Sequence, residues 1–160
     1  MSEIENNYPE SFFRGVTEEG KIKLEYGRAS ADIFHFNGQH KNEKGLDEES
    51  INWNDDEGAL ENLKNIKNEK LDILKYERGG IVRIPTRKLK EMKNRYKDEF
   101  FYERKPVEGN DYHGNILLDL NKIDKVLKKI ICSELVLGID LIYTYNKEKC
   151  SWVETKTEIE

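Results

Sequence analysis

The run Phe100-Phe101-Tyr102-Glu103-Arg104 passes through Pro106-Val107-Glu108-Gly109-Asn110-Asp111 into Tyr112-His113-Gly114-Asn115-Ile116-Leu117-Leu118. Aromatic and branched side chains suit a pleated surface, whereas proline, glycine, asparagine and aspartate interrupt it. This order predicts two antiparallel strands joined by a turn, with His113 where the second strand begins. A lone hairpin is barely stable in water, so the rest of the chain must supply strands or helices that bury its apolar side.

The remaining periodicities supply both. Ser11-Phe12-Phe13-Arg14-Gly15-Val16 is the first apolar cluster, and Lys21 to Tyr26 alternates Ile22, Leu24 and Tyr26 with polar neighbours, as a strand does. Ala31 to Phe36 alternates again, with Ile33 and His35 on one face and Phe34 and Phe36 on the other, before the turn Asn37-Gly38. Gln39 to Glu49 is polar and is expected to be a surface loop, followed by a short apolar insertion, Ser50-Ile51-Asn52-Trp53. Asn54-Asp55-Asp56-Glu57 offers capping groups and negative charge to a helix with the buried stripe Ala59, Leu60, Leu63 and Ile66. Leu71 to Lys75 is ambiguous. Gly79-Gly80 then breaks the chain before a strand, Ile81-Val82-Arg83-Ile84, that Pro85 ends, and Thr86 can cap a basic helix, Arg87 to Arg95, packed through Leu89 and Met92. Asn121 and Asp124 form a capping arrangement ahead of a helix whose apolar stripe is Ile123, Val126, Leu127, Ile130 and Ile131. After Gly138, Ile139, Leu141, Tyr143 and Tyr145 alternate as a partly buried strand.

Strands and helices mix without regular βαβ alternation, which predicts an α+β fold: a mainly antiparallel sheet with two or three helices packed on it. Residues 1–10 read as a loose arm, 11–146 as a single domain and 147–160 as a polar C-terminal tail. The chain has 160 residues, enough for one ordinary core, and 37% of them are charged, so its surface is strongly hydrophilic. Cys132 and Cys150 lack the number and spacing of a disulfide framework or a zinc site. The acidic, polar first ten residues resemble no secretory signal, and no apolar run approaches the length of a membrane helix. A reducing cytoplasm is the expected compartment, with no membrane partner and no cofactor.

Charge is uneven. Carboxylates dominate residues 1–60, whereas Arg83, Arg87, Lys88, Lys90, Lys93 and Arg95 make a basic segment. That segment offers phosphate contacts, with Tyr96, Phe100, Phe101 and Tyr102 as stacking surfaces; net charge −5 and the lack of a nucleic-acid-binding motif favour a solvated helix face instead. His113 beside Gly114 suits acid or base work, or simply anchors its hairpin by hydrogen bonds. Asn115 suits donation to an oxyanion or to a neighbouring carbonyl. Arg14, a charge inside an apolar cluster, suits bidentate binding of phosphate or carboxylate, or an ion pair with a local carboxylate. An aromatic-Arg-Gly start also occurs in some proteins that bind nicotinamide dinucleotides for ADP-ribosyl transfer, but the serine-bearing strand and glutamate of such enzymes find no convincing place. Asp55, Asp56 and Glu57 read as helix capping rather than metal ligands, and His35 and His40 as unrelated. Gly79-Gly80 is no phosphate loop, neither cysteine stands beside an evident base, and no serine lies in a nucleophile elbow.

Ser50-Ile51-Asn52-Trp53, Ile81-Val82-Arg83-Ile84 and Asn110-Asp111-Tyr112-His113-Gly114-Asn115 together resemble a set of small uncharacterised bacterial proteins. Those carry an early serine-x-asparagine-tryptophan element and a late asparagine-proline-x-histidine element; Asp111 stands here in the place of the proline. The resemblance spans roughly Phe12 to Leu137 and implies a bacterial, soluble, single-domain protein, of the kind expected in mobile-element or defence gene clusters, with Trp53 and His113 packed together. With no complete catalytic set, the leading expectation is an accessory or regulatory subunit that recognises another protein through the acidic loop or the aromatic hairpin. Its binding residues would be Trp53, Tyr102, Tyr112, His113 and Asn115. The alternatives are a nucleotide-processing or ADP-ribosyl-transferring enzyme using Arg14 and His113, and nucleic-acid binding through the basic segment.

Overall fold

A computed structural model describes residues 8–24 and 27–157. Most of the expected arm, Glu25 and Tyr26 of the strand expected over Lys21 to Tyr26, and the last three residues lie outside the described residues. In chain order the elements are β1 (Ser11–Val16), β2 (Ile22–Lys23), β3 (Arg28–Ala29), β4 (Asp47–Trp53), α1 (Glu57–Asn65), β5 (Lys67–Asn68), β6 (Ile73–Leu74), β7 (Gly80–Pro85), α2 (Thr86–Tyr96), β8 (Phe100–Arg104), β9 (His113–Leu118), α3 (Lys125–Leu137), β10 (Leu141–Asn146) and β11 (Ser151–Lys156). Seven strands form one sheet in the order β11-β10-β7-β1-β4-β9-β8, with every pairing antiparallel, while β2–β3 and β5–β6 are separate two-residue ladders. With three helices packed on this sheet, the fold is α+β.

Successive strand residues face opposite sides, and this sheet is buried on both. One side carries Phe12, Ile51, Trp53, Val82, Ile84, Phe100, Ile116 and Leu118 against Leu89 and Met92 of α2 and Ile131, Cys132 and Leu135 of α3. The other carries Phe13, Ile81, Leu141 and Tyr143 against Ala59 and Leu63 of α1. Central strands covered on both sides read as apolar pairs, hence Phe12-Phe13, Ile81-Val82 and Leu141-Ile142. Each full burial of such a side chain contributes roughly 1.5–3 kcal/mol, so the larger cluster, with both longer helices, carries most of the stability. Of the three helices described, α1 covers the second side, joined by Tyr76, and beyond them polar residues of β4 and β9 border a cleft.

Several local expectations change. Ala31–Ile33 is a short 3-10 turn rather than a strand, and Phe36 takes a left-handed φ of 41°. The expected surface loop ends early: Asp47, Glu48 and Glu49 open β4, a strand flanked by β1 and β9, with Asp47 and Glu49 buried. Carboxylates tolerate that position because Glu49 accepts from the backbone N–H groups of His35 and Phe36 and pairs with Arg14. Asp124, not Asn121, caps α3, accepting from the Leu127 N–H at 2.8 Å. Thr86 is the first residue of α2 and makes no cap. Within the expected polar tail, residues 151–156 form edge strand β11. The buried side of α3 is turned from the expected stripe: Ile131, Cys132 and Leu135 point inward, while Val126 and Ile130 point out.

One irregularity shapes the site. β1 pairs with β7 over its whole length, through Val16↔Gly80, but with β4 only at Phe12↔Trp53 and Phe13↔Asn52. Beyond that point β1 and β4 part, and Arg14 fills the gap.

Candidate functional site

The β4–β9 register sets Asn52 opposite His113, Ile51 opposite Gly114 and Ser50 opposite Asn115. Two segments far apart in sequence thereby meet on one face, where His113 and Ser50 are diagonal neighbours within reach of a long side chain. His113 Nδ1 lies 2.8 Å from the Lys105 carbonyl oxygen, and Nε2 lies 3.1 Å from Ser50 Oγ. A carbonyl only accepts, so Nδ1 carries the proton of the neutral ring and Nε2 presents its lone pair to the Ser50 hydroxyl. Ser50 is exposed and His113 half-buried. The arrangement places a base on a hydroxyl and holds that base in one tautomer through a third group, as nucleophile activation requires.

Both residues border a cavity of about 410 Å³ that also reaches Asn52, Asn62, Tyr76 and Asn110. The amides form a chain: Asn110 Nδ2 donates to Asn52 Oδ1 at 2.8 Å, and Asn52 Nδ2 donates to Asn62 Oδ1 and to the Ala59 carbonyl, each at 3.3 Å. Asn110 Oδ1 accepts from the Tyr112 N–H at 3.0 Å, and Gly109 takes a φ of 83° that turns the loop back toward β9. Side chains from β4, α1 and the β8–β9 turn thus fix one another's orientation. Tyr76 closes the side of the cavity by lying on Gly15, where an added Cβ would come within 2.4 Å of its ring.

Arg14 borders the same cavity as His113. Its Nε and Nη2 donate to the Ile33 carbonyl at 3.1 and 2.8 Å, its Nη1 donates to the Ser50 carbonyl at 2.6 Å, and Glu49 Oε1 lies 3.5 Å from Nη2. Its guanidinium also stands over the Phe34 ring. Burial pushes its pKa down, and the Glu49 carboxylate opposes that most strongly. The guanidinium fork is therefore engaged by the scaffold, and Arg14 positions the Ser50 backbone rather than offering a free bidentate anion site. The ion-pair alternative from the sequence describes it better, with Glu49 as the carboxylate.

The other expected binding residues are distributed differently. Trp53 is fully buried on the opposite side of the sheet from His113, its Nε1 donating to the Glu103 carbonyl at 3.1 Å, so the expected Trp53–His113 packing does not occur. Tyr102 is half-buried, with its ring centroid 6.2 Å from that of Trp53. Tyr112 Oη donates to the helix-capping Asp56 at 2.7 Å, and Asn115 is buried, donating to Glu48 and Glu103. In the basic segment Arg83 pairs with Asp140, Arg95 with Glu134, and Lys93 lies 3.8 Å over the Phe101 ring. Arg87 and Lys90 are exposed and Lys88 is half-buried, and Arg83, Arg87 and Lys90 border one surface cavity together with Asp140. Asp55 forms a two-point ion pair with Arg104, and among the described residues no group of three or more His, Cys, Asp or Glu is arranged to hold a metal ion. Burial raises the Cys132 thiol to about 11, with its Sγ directed at the Phe34 carbonyl, as befits an inert core residue.

Ser50, Asn52, Asn62 and Tyr76 escape sequence reasoning as site residues. The available signal was the i, i+2 spacing of Ser50 and Asn52, which places both on one strand face; their meeting with His113 depends on a strand pairing that sequence does not display. Comparison with protein-family models, with curated proteins and with solved structures finds no match for this chain.

Proposed function

We propose that this protein recognises a small polar ligand of nucleoside size in the cleft between β4, β9 and α1. The observation behind this reading is the convergence of His113, Ser50, Asn52 and Asn110 on one cavity from two distant segments. About 410 Å³ lies within the range of small-molecule sites. Oriented amides read donors and acceptors, and the Tyr76 ring supplies a flat wall. This keeps the nucleotide-directed alternative and changes its contacts: Ser50, Asn52 and His113 meet the ligand, while Arg14 holds the wall. Thermal melts with nucleosides, nucleoside monophosphates and NAD test it. Ligand at a hundred times its Kd adds about 2.7 kcal/mol, several degrees in Tm. A shift in wild type that Asn110→Ala and Tyr76→Ala lose supports the reading; no shift from any compound at millimolar concentration sinks it.

A second reading, that of an accessory subunit that binds another protein, is favoured by α3. Val126 (67% exposed), Ile130 (45%) and Leu137 (77%) form one outward stripe, flanked by the exposed Lys122, Lys125 and Lys129. The first turn of α3 holds no acidic residue, so its lysines oppose the helix dipole. An acidic amphipathic helix on a partner answers both features. This reading places the docking face on α3 rather than on the acidic loop or the aromatic hairpin, in which Asp47, Glu49, Phe100 and residues 114–118 are buried. Affinity capture compares wild type with the double variant Ile130→Glu, Leu137→Glu. A partner held by the first and released by the second supports the reading, and identical captures by both overturn it. The two free cysteines suit the expected reducing cytoplasm, and no described helix is long and apolar enough to cross a membrane.

A further inference from the structure

The geometry points to Ser50 as a nucleophile for acyl transfer, activated by His113, with small neutral carboxylic esters as the substrate class; we propose this as an activity of the cleft. It rests on the reading that the cleft admits a small polar ligand. Three observations carry it. The Ser50 hydroxyl is exposed at the cavity edge, 3.1 Å from Nε2 of a histidine whose other nitrogen faces a carbonyl at 2.8 Å. A carbonyl in the third position orients the ring and selects the tautomer, the role that the generalised triad assigns to its last member.

The second observation is the parting of β1 from β4. Along an antiparallel strand, backbone groups point alternately to the two neighbours. The Trp53 N–H donates to the Tyr112 carbonyl on the β9 side, so the N–H and carbonyl of Asn52 and of Ser50 turn toward β1. The β1–β4 ladder ends at Phe13↔Asn52, which leaves the β4-facing N–H of Gly15 and the β1-facing N–H of Ser50 beyond it. Gly15 and Ser50 both border the cavity. Backbone donors beside a nucleophile are what a developing oxyanion needs.

The third is Arg14. By donating to the Ser50 carbonyl it takes the place that a β1 amide would hold in a continued ladder, and so keeps the gap open. Arg14 is a positioning residue here; Ser50 and His113 are the groups that touch substrate.

The chemistry balances without any group beyond the chain, the ester and water. Ser50 Oγ adds to the ester carbonyl carbon while its proton passes to His113 Nε2. The C–O bond to the alcohol breaks, and His113 returns the proton to the leaving alkoxide. Water then adds to the acyl-serine as His113 takes one of its protons, the acyl–Oγ bond breaks, and His113 returns that proton to Ser50 Oγ, leaving acid and free Ser50.

A small fluorophosphonate tests the nucleophile directly: the Oγ–P bond forms, fluoride leaves and His113 accepts the proton. Intact-mass and peptide spectrometry on the full chain should find one adduct, on Ser50. Ser50→Ala should abolish it, and His113→Gln should slow it by about 100-fold or more while the thermal melt stays cooperative. p-Nitrophenyl acetate should give a burst of nitrophenol that Ser50→Ala loses. Folded wild type without a Ser50 adduct overturns the proposal, as does a folded His113→Gln variant that labels as fast as wild type. The wild-type adduct and its loss in Ser50→Ala keep the test decisive even where His113→Gln fails to fold. If nucleoside-type ligands shift the melt and no adduct forms, the nucleophile is wrong and the binding cleft stands; if neither occurs, both readings fall.

Discussion

Strands β4 and β9 present two unlike surfaces. Toward α2 and α3 they set Ile51, Trp53, Ile116 and Leu118, all fully or nearly fully buried; toward the cleft they set Ser50, Asn52, His113 and Asn115. The backbone is the same on both sides, and only the parity of residue number differs. A site built this way inherits its rigidity from the core behind it. The register that buries Trp53 already sets Ser50 beside His113, and the Lys105 carbonyl just beyond β8 orients the ring. Specificity can then change on one face with little effect on the other.

The sharpest attempt to break that comparison is Trp53→Ala. It leaves a cavity on the dry side and removes the indole's bond to the Glu103 carbonyl, costing about 3–5 kcal/mol in urea unfolding, and the cleft should fail with it although no cleft contact is touched. Gly114→Ala probes the boundary. A Cβ there would lie 2.2 Å from Trp53 Nε1 and 2.4 Å from the Glu103 carbonyl oxygen, so strands β8 and β9 must shift, at a cost of about 1–3 kcal/mol. His113→Ala, on the wet side, should cost only about 1 kcal/mol of stability while removing ligand-induced stabilisation. Equal losses from Trp53→Ala and His113→Ala would show that the two faces are not separable.

Two carboxylates, Glu49 and Asp47, lie on the dry side, and Asp47 sharpens the rule. It is 1% exposed and neither carboxylate oxygen makes a well-formed hydrogen bond. Burial raises its pKa, with Glu49 adding, while the amides of Gly38 and His40 and the charge of Lys41 offset part of the rise. The native state therefore holds this proton to higher pH than the unfolded chain does. Stability falls as pH rises from about 4, the ordinary aspartate value, through the raised one, and the penalty is constant above. Asp47→Asn should raise Tm at neutral pH, and the advantage should shrink toward pH ~4. The smallest effect expected is that of Ile130→Glu, within about 0.5 kcal/mol, because this side chain faces outward.

Local chemistry made part of this legible in the sequence. The β8–β9 hairpin, the start of α1 at Asp56, strand β7 between Gly79-Gly80 and Pro85, and β10 all follow from short-range periodicity and turn formers. The acidic start of β4 did not, since Glu49 is tolerable inside only because Arg14 and two backbone amides of a distant turn meet it. The outward stripe of α3 did not either: Val126 and Ile130 share a helical period with Leu127 and Ile131, and only the packed helix shows that Ile131 is buried and Leu127 partly so while the other two face out. His113 was visible as a candidate. Its hydroxyl partner, 63 residues earlier, required the sheet order.

Arg14 has one more consequence. Where β1 and β4 part, a second cavity of about 230 Å³ opens toward Thr17 and Asp32, and it shares Arg14, Gly15, Ser50, Lys75 and Tyr76 with the first. One wall therefore bounds both spaces, and the guanidinium of Arg14, pinned between two carbonyls, is its fixed point: a substitution at Arg14 should reshape both cavities at once.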